Sequence, residues 1–223
     1  MSLVLPKLIV FASGTKTGGG SGFRKLVEAR EKGALAAEFV GVVSNHEDGG
    51  VRRWAGMLGV PFIHSPRGRT ADDYRRIVEK SGAEFVALSG WLGKVEGLNP
   101  QKTFNIHPAL LPSKFGGKGM HGHHIHEAVH AAMLNEGLTH SGVTMHFVTE
   151  VYDDHRGIFF RRNVPLDPSD TPETIGARVN GLEHIWQARM TDLVLSGAIT
   201  WDGKNPESMQ GAQEHIQPLP QTR

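Results

Sequence analysis

The chain has 223 residues, enough to bury a sizeable core in one large domain or two small ones. Its 24 Lys plus Arg nearly balance 23 Asp plus Glu, so there is none of the basic excess that nucleic-acid or anionic-membrane binding brings, and 39% hydrophobic residues mark a folded chain. The absence of cysteine excludes disulfides, thiolate metal sites and a thiol nucleophile, while 28 glycines and 13 histidines are the unusual counts.

The first apolar run covers residues 7–12. Lys7 abuts it and a glycine-rich loop follows it, so it does not read as a secretory signal. No run approaches the ~18 apolar residues of a membrane span. A cytoplasmic protein is expected. Further strands are predicted over 38–44, 61–64, 84–88, 103–106, 142–149 and 158–166, all rich in Val, Ile and Phe. The runs at 7–12, 38–44 and 84–88 are nearly continuous rather than alternating, which suits strands covered on both faces of a parallel sheet. Helices are predicted over 22–32, 50–58 and 70–80, the last capped by Thr70 with Asp72 and Asp73 close behind. Strand and helix alternate, so the first hundred residues read as βαβ units. A fourth helix is predicted over 121–134, with Ile125, Val129, Ala132 and Met133 on one face. A long final helix opens at Thr171-Pro172-Glu173 and carries a stripe of Ile175, Val179, Leu182, Ile185 and Trp186. From residue 203 onward apolar groups are few, and an extended or disordered tail is expected.

Three motifs carry chemistry. The loop Ser13-Gly14-Thr15-Lys16-Thr17-Gly18-Gly19-Gly20-Ser21-Gly22 joins the first strand to the first helix. Glycines there let backbone N–H groups approach an anion, and the helix start adds partial positive charge. It matches neither the Walker pattern nor a clean dinucleotide fingerprint, so it also reads as a flexible connection. His126-Glu127-Ala128-Val129-His130 is a literal HExxH, which on a helix can place two imidazoles on one zinc. In a chain this rich in histidine it also reads as a partly solvated helix face. Asn105-Ile106-His107 ends the fifth strand, where parallel sheets line their ligand crevice. Two apart, Asn105 and His107 point to one side, and together they can stabilise an oxyanion and move a proton. Asp153 or Asp154 could supply the carboxylate that orients His107. The two are adjacent, so one should reach the cleft and the other should be solvated.

Asn105-Ile106-His107-Pro108-Ala109-Leu110-Leu111-Pro112, then Ser141-Gly142-Val143-Thr144-Met145-His146-Phe147-Val148, then Tyr152-Asp153 resemble the phosphoribosylglycinamide formyltransferase family. Leu88-Ser89-Gly90-Trp91-Leu92 and Glu183-His184 are similar to the same family, and the likeness runs over roughly residues 7 to 195. The resemblance implies an α/β, Rossmann-like, mainly parallel twisted sheet flanked by helices. It implies formyl transfer from 10-formyltetrahydrofolate to the amine of glycinamide ribonucleotide in purine biosynthesis, without a metal. Asn105, His107 and Asp153 then become the catalytic residues, with His107 protonated and poised by Asp153. Gly20, Ser21 and Gly22 should hold the ribonucleotide phosphate, and Gly90, Ile106, Asn180 and Glu183 should make its other contacts. The folate should lie along Trp91, Leu92, Gly93 and Val95 and along Thr149 and Glu150. A cis peptide is implied at Leu111-Pro112.

The chain departs from the family pattern in three places. The glycine loop is longer and has Gly22 where Asn is expected. Gly93-Lys94 stands where Arg is frequent. One extra residue lies in Asp153-Asp154-His155-Arg156-Gly157; counting from His146 selects Asp153 and counting back from Pro165 selects Asp154, and the first, shorter count is preferred. The stretch 116–130 resembles a variant loop of some members, which weakens the HExxH reading. Residues 1–202 are expected to form one formyltransferase domain, with 1–100 as a phosphate-binding half and 101–202 as a catalytic and folate-binding half, followed by the 203–223 tail. Neither a tRNA-binding C-terminal domain nor a regulatory N-terminal extension is recognisable, which points to the purine enzyme. The expected partners are small-molecule substrates, with no nucleic acid and no membrane. The alternatives are a 10-formyltetrahydrofolate hydrolase, a zinc hydrolase built on the HExxH, and a non-catalytic nucleotide-binding module.

Overall fold

The computed structural model describes residues 4–66 and 69–220. Among these residues seven strands form one sheet: β1 (Lys7–Phe11), β2 (Glu38–Ser44), β3 (Phe62–His64), β4 (Phe85–Ser89), β5 (Thr103–His107), β6 (His140–Phe147) and β7 (Ile158–Pro165). Among the described residues five α-helices accompany them: α1 (Ser21–Glu31), α2 (Gly50–Leu58), α3 (Ala71–Ser81), α4 (His123–Glu136) and α5 (Pro172–Leu195). The strand order is β3-β2-β1-β4-β5-β6-β7, parallel through β5 and antiparallel for β6 and β7.

The continuous apolar runs have the expected cause. Leu8 and Val10 of β1 enter a core shared with α1, α2, α4 and α5, whereas Ile9 and Phe11 enter a second core with Tyr74 of α3 and Trp91. A strand covered on both faces needs apolar residues at every position. Thr70 and Asp73 form a reciprocal capping box at α3, and Thr171 and Thr174 form one at α5 with Pro172 in the first turn. Ile185 differs from the expectation: it is 67% exposed. The buried stripe of α5 runs through Ile175, Val179 and Met190, with Leu182 and Trp186 packed partly against the core. Ile185 sits about 100° around the helix from Trp186 and so faces outward.

The chain steps from β3 across β2 and β1 to reach β4. This reversal puts the loops after β1 and β4 side by side at the carboxyl ends of the strands, where open α/β sheets bind ligands. The tail is irregular but not free. Met209 and Ala212 are buried, Gln217 N–H donates to Arg161 O (3.1 Å), and Asn163 Nδ2 donates to Pro218 O (3.0 Å). Its few apolar groups still find the core, and its backbone finds partners on the outer edge of β7; residues 221–223 lie outside the described part. No helix among the described residues is long and apolar enough to cross a membrane.

Candidate active site

A cleft of about 820 Å³ opens at the carboxyl ends of the central strands. One arm is walled by the glycine loop and α5, through Gly20, Ser21, Gly22, Asn180, Glu183 and His184. The other lies between Trp91–Val95 and Val148–Asp153, which present Leu92, Val148, Val151 and Tyr152 along their sides. Gly90, Ile106, Asn105 and His107 form the floor where the arms meet. Of the residues that the resemblance assigns to catalysis, the ribonucleotide or the folate, only Glu150 lies outside the wall. It turns away and accepts from Gly97 N–H (3.0 Å), bracing one rim against the other.

The glycine loop is held, not floppy. Thr15 N–H donates to Gly18 O (2.9 Å), and Gly18 N–H returns to Thr15 Oγ1 (2.8 Å). Gly20, in the left-handed conformation at φ 81°, precedes α1 with no side chain capping the helix, so first-turn N–H groups are left for a ligand. The departure at Gly22 has a packing cause: a Cβ there would overlap Ser89 Oγ, which itself donates to buried Gln187 Oε1 (3.1 Å). The asparagine of the family pattern does not fit this site. His184 Nε2 meets Ser21 Oγ at 3.1 Å in the same wall, and burial, then Lys25 and Arg24, push its imidazole down.

At the floor, β5 and β6 set the geometry. Their antiparallel register places Asn105 opposite His146 and His107 opposite Thr144. Thr144 Oγ1 donates to Ala109 O (2.8 Å) and accepts from Leu111 N–H (3.0 Å), fixing the turn after β5, where Leu111-Pro112 is cis as the resemblance implies. His107 Nε2 lies 2.8 Å from Phe115 O, and His146 Nδ1 lies 2.9 Å from Phe147 O. A carbonyl only accepts, so each of these nitrogens carries its hydrogen. The remaining nitrogens converge on one carboxylate: Asp153 Oδ1 is 3.6 Å from His107 Nδ1 and 3.4 Å from His146 Nε2. Asn105 Nδ2 sits 3.2 Å from His146 Nε2, which leaves its second N–H for the cleft.

Asp153 is the single non-glycine residue with positive φ (47°) among the described residues. That backbone turn, unusual outside glycine and tolerated best by Asp and Asn, swings its carboxylate inward, where Oδ2 accepts from Gly117 N–H (2.6 Å). Burial works against its ionisation, but the His146 contact, the two imidazoles and Gly117 N–H together hold it below the usual carboxylate range. Asp154 points the other way. It is 2% exposed and takes Thr149 Oγ1 (2.7 Å) and Arg156 Nε (2.9 Å). Burial opposes the charge, yet Arg156 and Thr149 bring the carboxyl down to about 2. The second aspartate was expected in solvent; it is instead a buried ion-pair anchor for the loop that presents Asp153.

One further expectation is corrected. His107 was expected in its charged form, but burial pushes the imidazole down, and the charge of Asp153 and the Phe115 carbonyl only partly oppose this. Only Nδ1 is left for chemistry, because Nε2 is committed to Phe115. On α4, Glu127 turns back to His124 (3.0 Å) and His123 (3.7 Å) rather than joining His126 and His130. Among the described residues no group of three or more His, Cys, Asp or Glu is placed to hold a metal ion. His146 was quoted in a motif but given no role. Its place beside Asn105 follows from the β5–β6 pairing, and only that register could have signalled it.

A formyl transferase family model matches residues 6–191, most of the chain. The chain belongs to the formyl transferase family. Within that family its curated relatives include phosphoribosylglycinamide formyltransferases and trifunctional purine biosynthetic proteins. It is 36% identical over 206 residues to a chloroplastic phosphoribosylglycinamide formyltransferase of Arabidopsis thaliana, covering 87% of this chain and 67% of that protein. It is 38% identical over 205 residues to the one of Vigna unguiculata, covering 87% and 62%. The chain thus spans about two thirds of the length of these plant relatives. Among solved structures, a phosphoribosylglycinamide formyltransferase from Coxiella burnetii superposes with a TM-score of 0.74 at 25% identity, covering 96% of this chain and all of that one. A formyltetrahydrofolate deformylase from Pseudomonas syringae superposes equally well (TM-score 0.73) at 22% identity over 90% of this chain and 64% of that one, a likeness of fold alone.

Proposed function

We propose that this formyl transferase moves the formyl group of 10-formyltetrahydrofolate to the amine of glycinamide ribonucleotide, as the names of its relatives indicate. The observation that carries the reading is the meeting of Asn105, His107 and Asp153 on the floor of a cleft with two unlike arms. One arm offers uncapped helix N–H groups, Ser21 and His184, which suit a phosphate. The other offers facing backbone segments with Leu92, Val148 and Tyr152, which suit a flat ring. The folate co-substrate supplies an activated formyl carbon.

The nucleophile is the substrate's own amine, so the chain needs none of its own. Asn105 donates its free N–H to the formyl oxygen as charge gathers there. The attacking amine carries a surplus proton once it has added to the formyl carbon; the His107 Nδ1 lone pair, beside the Asp153 carboxylate, takes that proton and passes it to the departing folate nitrogen, because His107 Nε2 already bears the hydrogen given to Phe115. Phe115 and Phe147 carbonyls fix both rings, so that this proton site does not rotate away. Glu183, on α5, belongs to the ribonucleotide arm. Burial pushes its carboxyl up to about 7, opposed by the Asn180 hydrogen bond (3.1 Å), and this lets it bind hydroxyls as donor or acceptor.

Residues 1–202 are read as one domain, and a cytoplasmic location without nucleic-acid or membrane partners completes the proposal. The competing reading is hydrolysis of the same folate, since water can replace the amine on the same floor. An assay with 10-formyltetrahydrofolate, with and without glycinamide ribonucleotide, separates them. Tetrahydrofolate release that requires the ribonucleotide supports transfer. Release that ignores it refutes the proposal.

A further inference from the structure

His126 stands in the first turns of α4 and lines the cleft, yet the chemistry above leaves it without work. Its two ring nitrogens are in unlike surroundings. Nδ1 is buried and has no hydrogen-bond partner. Nε2 makes no hydrogen bond to a described residue and is not sealed in the same way. The ring lies so close over α5 that a Cβ on Gly176 would come within 2.9 Å of its Cδ2 and 3.3 Å of its Nε2. A glycine at that point of a helix is what admits the imidazole.

The tautomer follows from the burial. A buried N–H with no acceptor costs more than an unused lone pair, so the hydrogen belongs on Nε2. Burial, and then the neighbouring imidazoles of His123 and His107, favour the neutral ring. His126 therefore offers the cleft one uncharged N–H. Gly176, Asn180 and Glu183 follow one another along the cleft-lining face of α5, four and three residues apart. His126 is level with the first of these, and His107 is near enough to perturb it from the floor. It thus stands between the proton site and the ribonucleotide arm.

We propose that His126 is a positioning residue: its Nε2–H donates to an uncharged oxygen on the glycinamide arm of the ribonucleotide and turns the amine toward Asn105 and His107. This rests on the reading of the amine substrate given above. A packing role alone does not account for the residue, because the orphaned Nδ1 costs stability that an apolar side chain of similar size would not.

The experiment pairs thermal unfolding with calorimetric titration of glycinamide ribonucleotide in the absence of folate, on the full chain and two variants. His126→Leu should unfold at the same or a higher temperature, yet bind the ribonucleotide at least about fivefold more weakly, the range of one neutral hydrogen bond. His126→Gln, whose amide can reach the same place with an N–H, should bind within about twofold to threefold of the parent. The KM for 10-formyltetrahydrofolate should not move in either. Parent-like binding by His126→Leu overturns the inference alone. So does a marked fall in its Tm, which would make the ring a packing element. A parent chain that does not bind the ribonucleotide overturns the functional reading and this inference together.

Discussion

Replacing each of the two adjacent aspartates by asparagine should separate catalysis from stability. In Asp153→Asn the amide can accept from Gly117 N–H with its oxygen, as Oδ2 does now at 2.6 Å. Its NH₂ can then donate toward His107 Nδ1 and His146 Nε2, which lie 3.6 and 3.4 Å from Oδ1. Asparagine also tolerates the positive φ, and it removes the cost of burying a charge, the largest influence on this carboxyl. The fold should scarcely notice, with Tm within roughly 2–4 °C of the parent, the shift that ~1 kcal/mol produces in a chain of this size. Turnover should fall at least about tenfold and up to the ~10²–10⁴ that general acid–base catalysis contributes, because the amide cannot hold the mobile proton. Without the carboxylate His107 loses the charge that raises its pKa, so the acid limb of the residual activity, where His107 becomes protonated, should move to lower pH than in the parent.

Asp154→Asn should behave the other way. A carboxyl lowered from 3.8 to about 2 represents at most ~2.5 kcal/mol of folding free energy, trimmed to about 1–2 because Arg156 is 43% exposed. A depressed carboxylate stabilises fully above its unfolded pKa and loses that contribution as pH falls toward its folded one. The parent should therefore lose this increment between about pH 4 and pH 2, while the variant lacks it throughout. At neutral pH its Tm should drop by roughly 2–8 °C with turnover nearly unchanged below the transition. Steady-state formyl transfer and a melting curve on both variants suffice. If Asp154→Asn is the inactive protein and Asp153→Asn the unstable one, the assignment of the two carboxylates is wrong.

Asn105→Ala should keep its fold and lose roughly 10²–10³ in turnover, the cost of one oxyanion donor; a loss below about threefold in a steady-state assay would remove Asn105 from that role. Gly22→Ala should cost about 1–3 kcal/mol in a denaturant melt, because the new methyl overlaps Ser89 Oγ, and it should raise the KM for the ribonucleotide. Adding Ser89→Ala should restore part of both, since the nearest remaining contact is Gln187 Oε1 at 3.0 Å, the end of a side chain that Ser89 no longer holds; no recovery would refute the packing explanation. For Glu183→Gln, the raised carboxyl is a liability that grows as pH climbs from 4.5 through about 7, so the variant should gain Tm over the parent across that interval and match it below. Parallel melting temperatures at pH 4 and pH 8 would contradict the buried charge.

Residues whose environment is set by their own strand or helix were the legible ones. The unbroken apolar run at Leu8–Ala12 announces a strand covered on both faces, and Thr70 with Asp73 announces a helix start, because period and capping are local properties. Asn105 and His107 were legible as a pair for the same reason, being two apart on one strand. The features that escaped depend on distant neighbours. His146 joins the site only because β6 runs antiparallel to β5 in one register, and a slip of one residue would turn it to the opposite face. Gly22 looks like a lost asparagine until Ser89 and Gln187, 67 and 165 residues further along, are seen filling its side-chain space. The charge state of His107 was misjudged because the acid beside it is visible in the sequence and the burial around it is not. Desolvation outweighs one partly buried carboxylate here. The same imbalance explains the chemistry: a neutral imidazole and an ionised Asp153 sharing one proton site can pass a proton at little cost. An ion pair already formed would hold that proton more tightly.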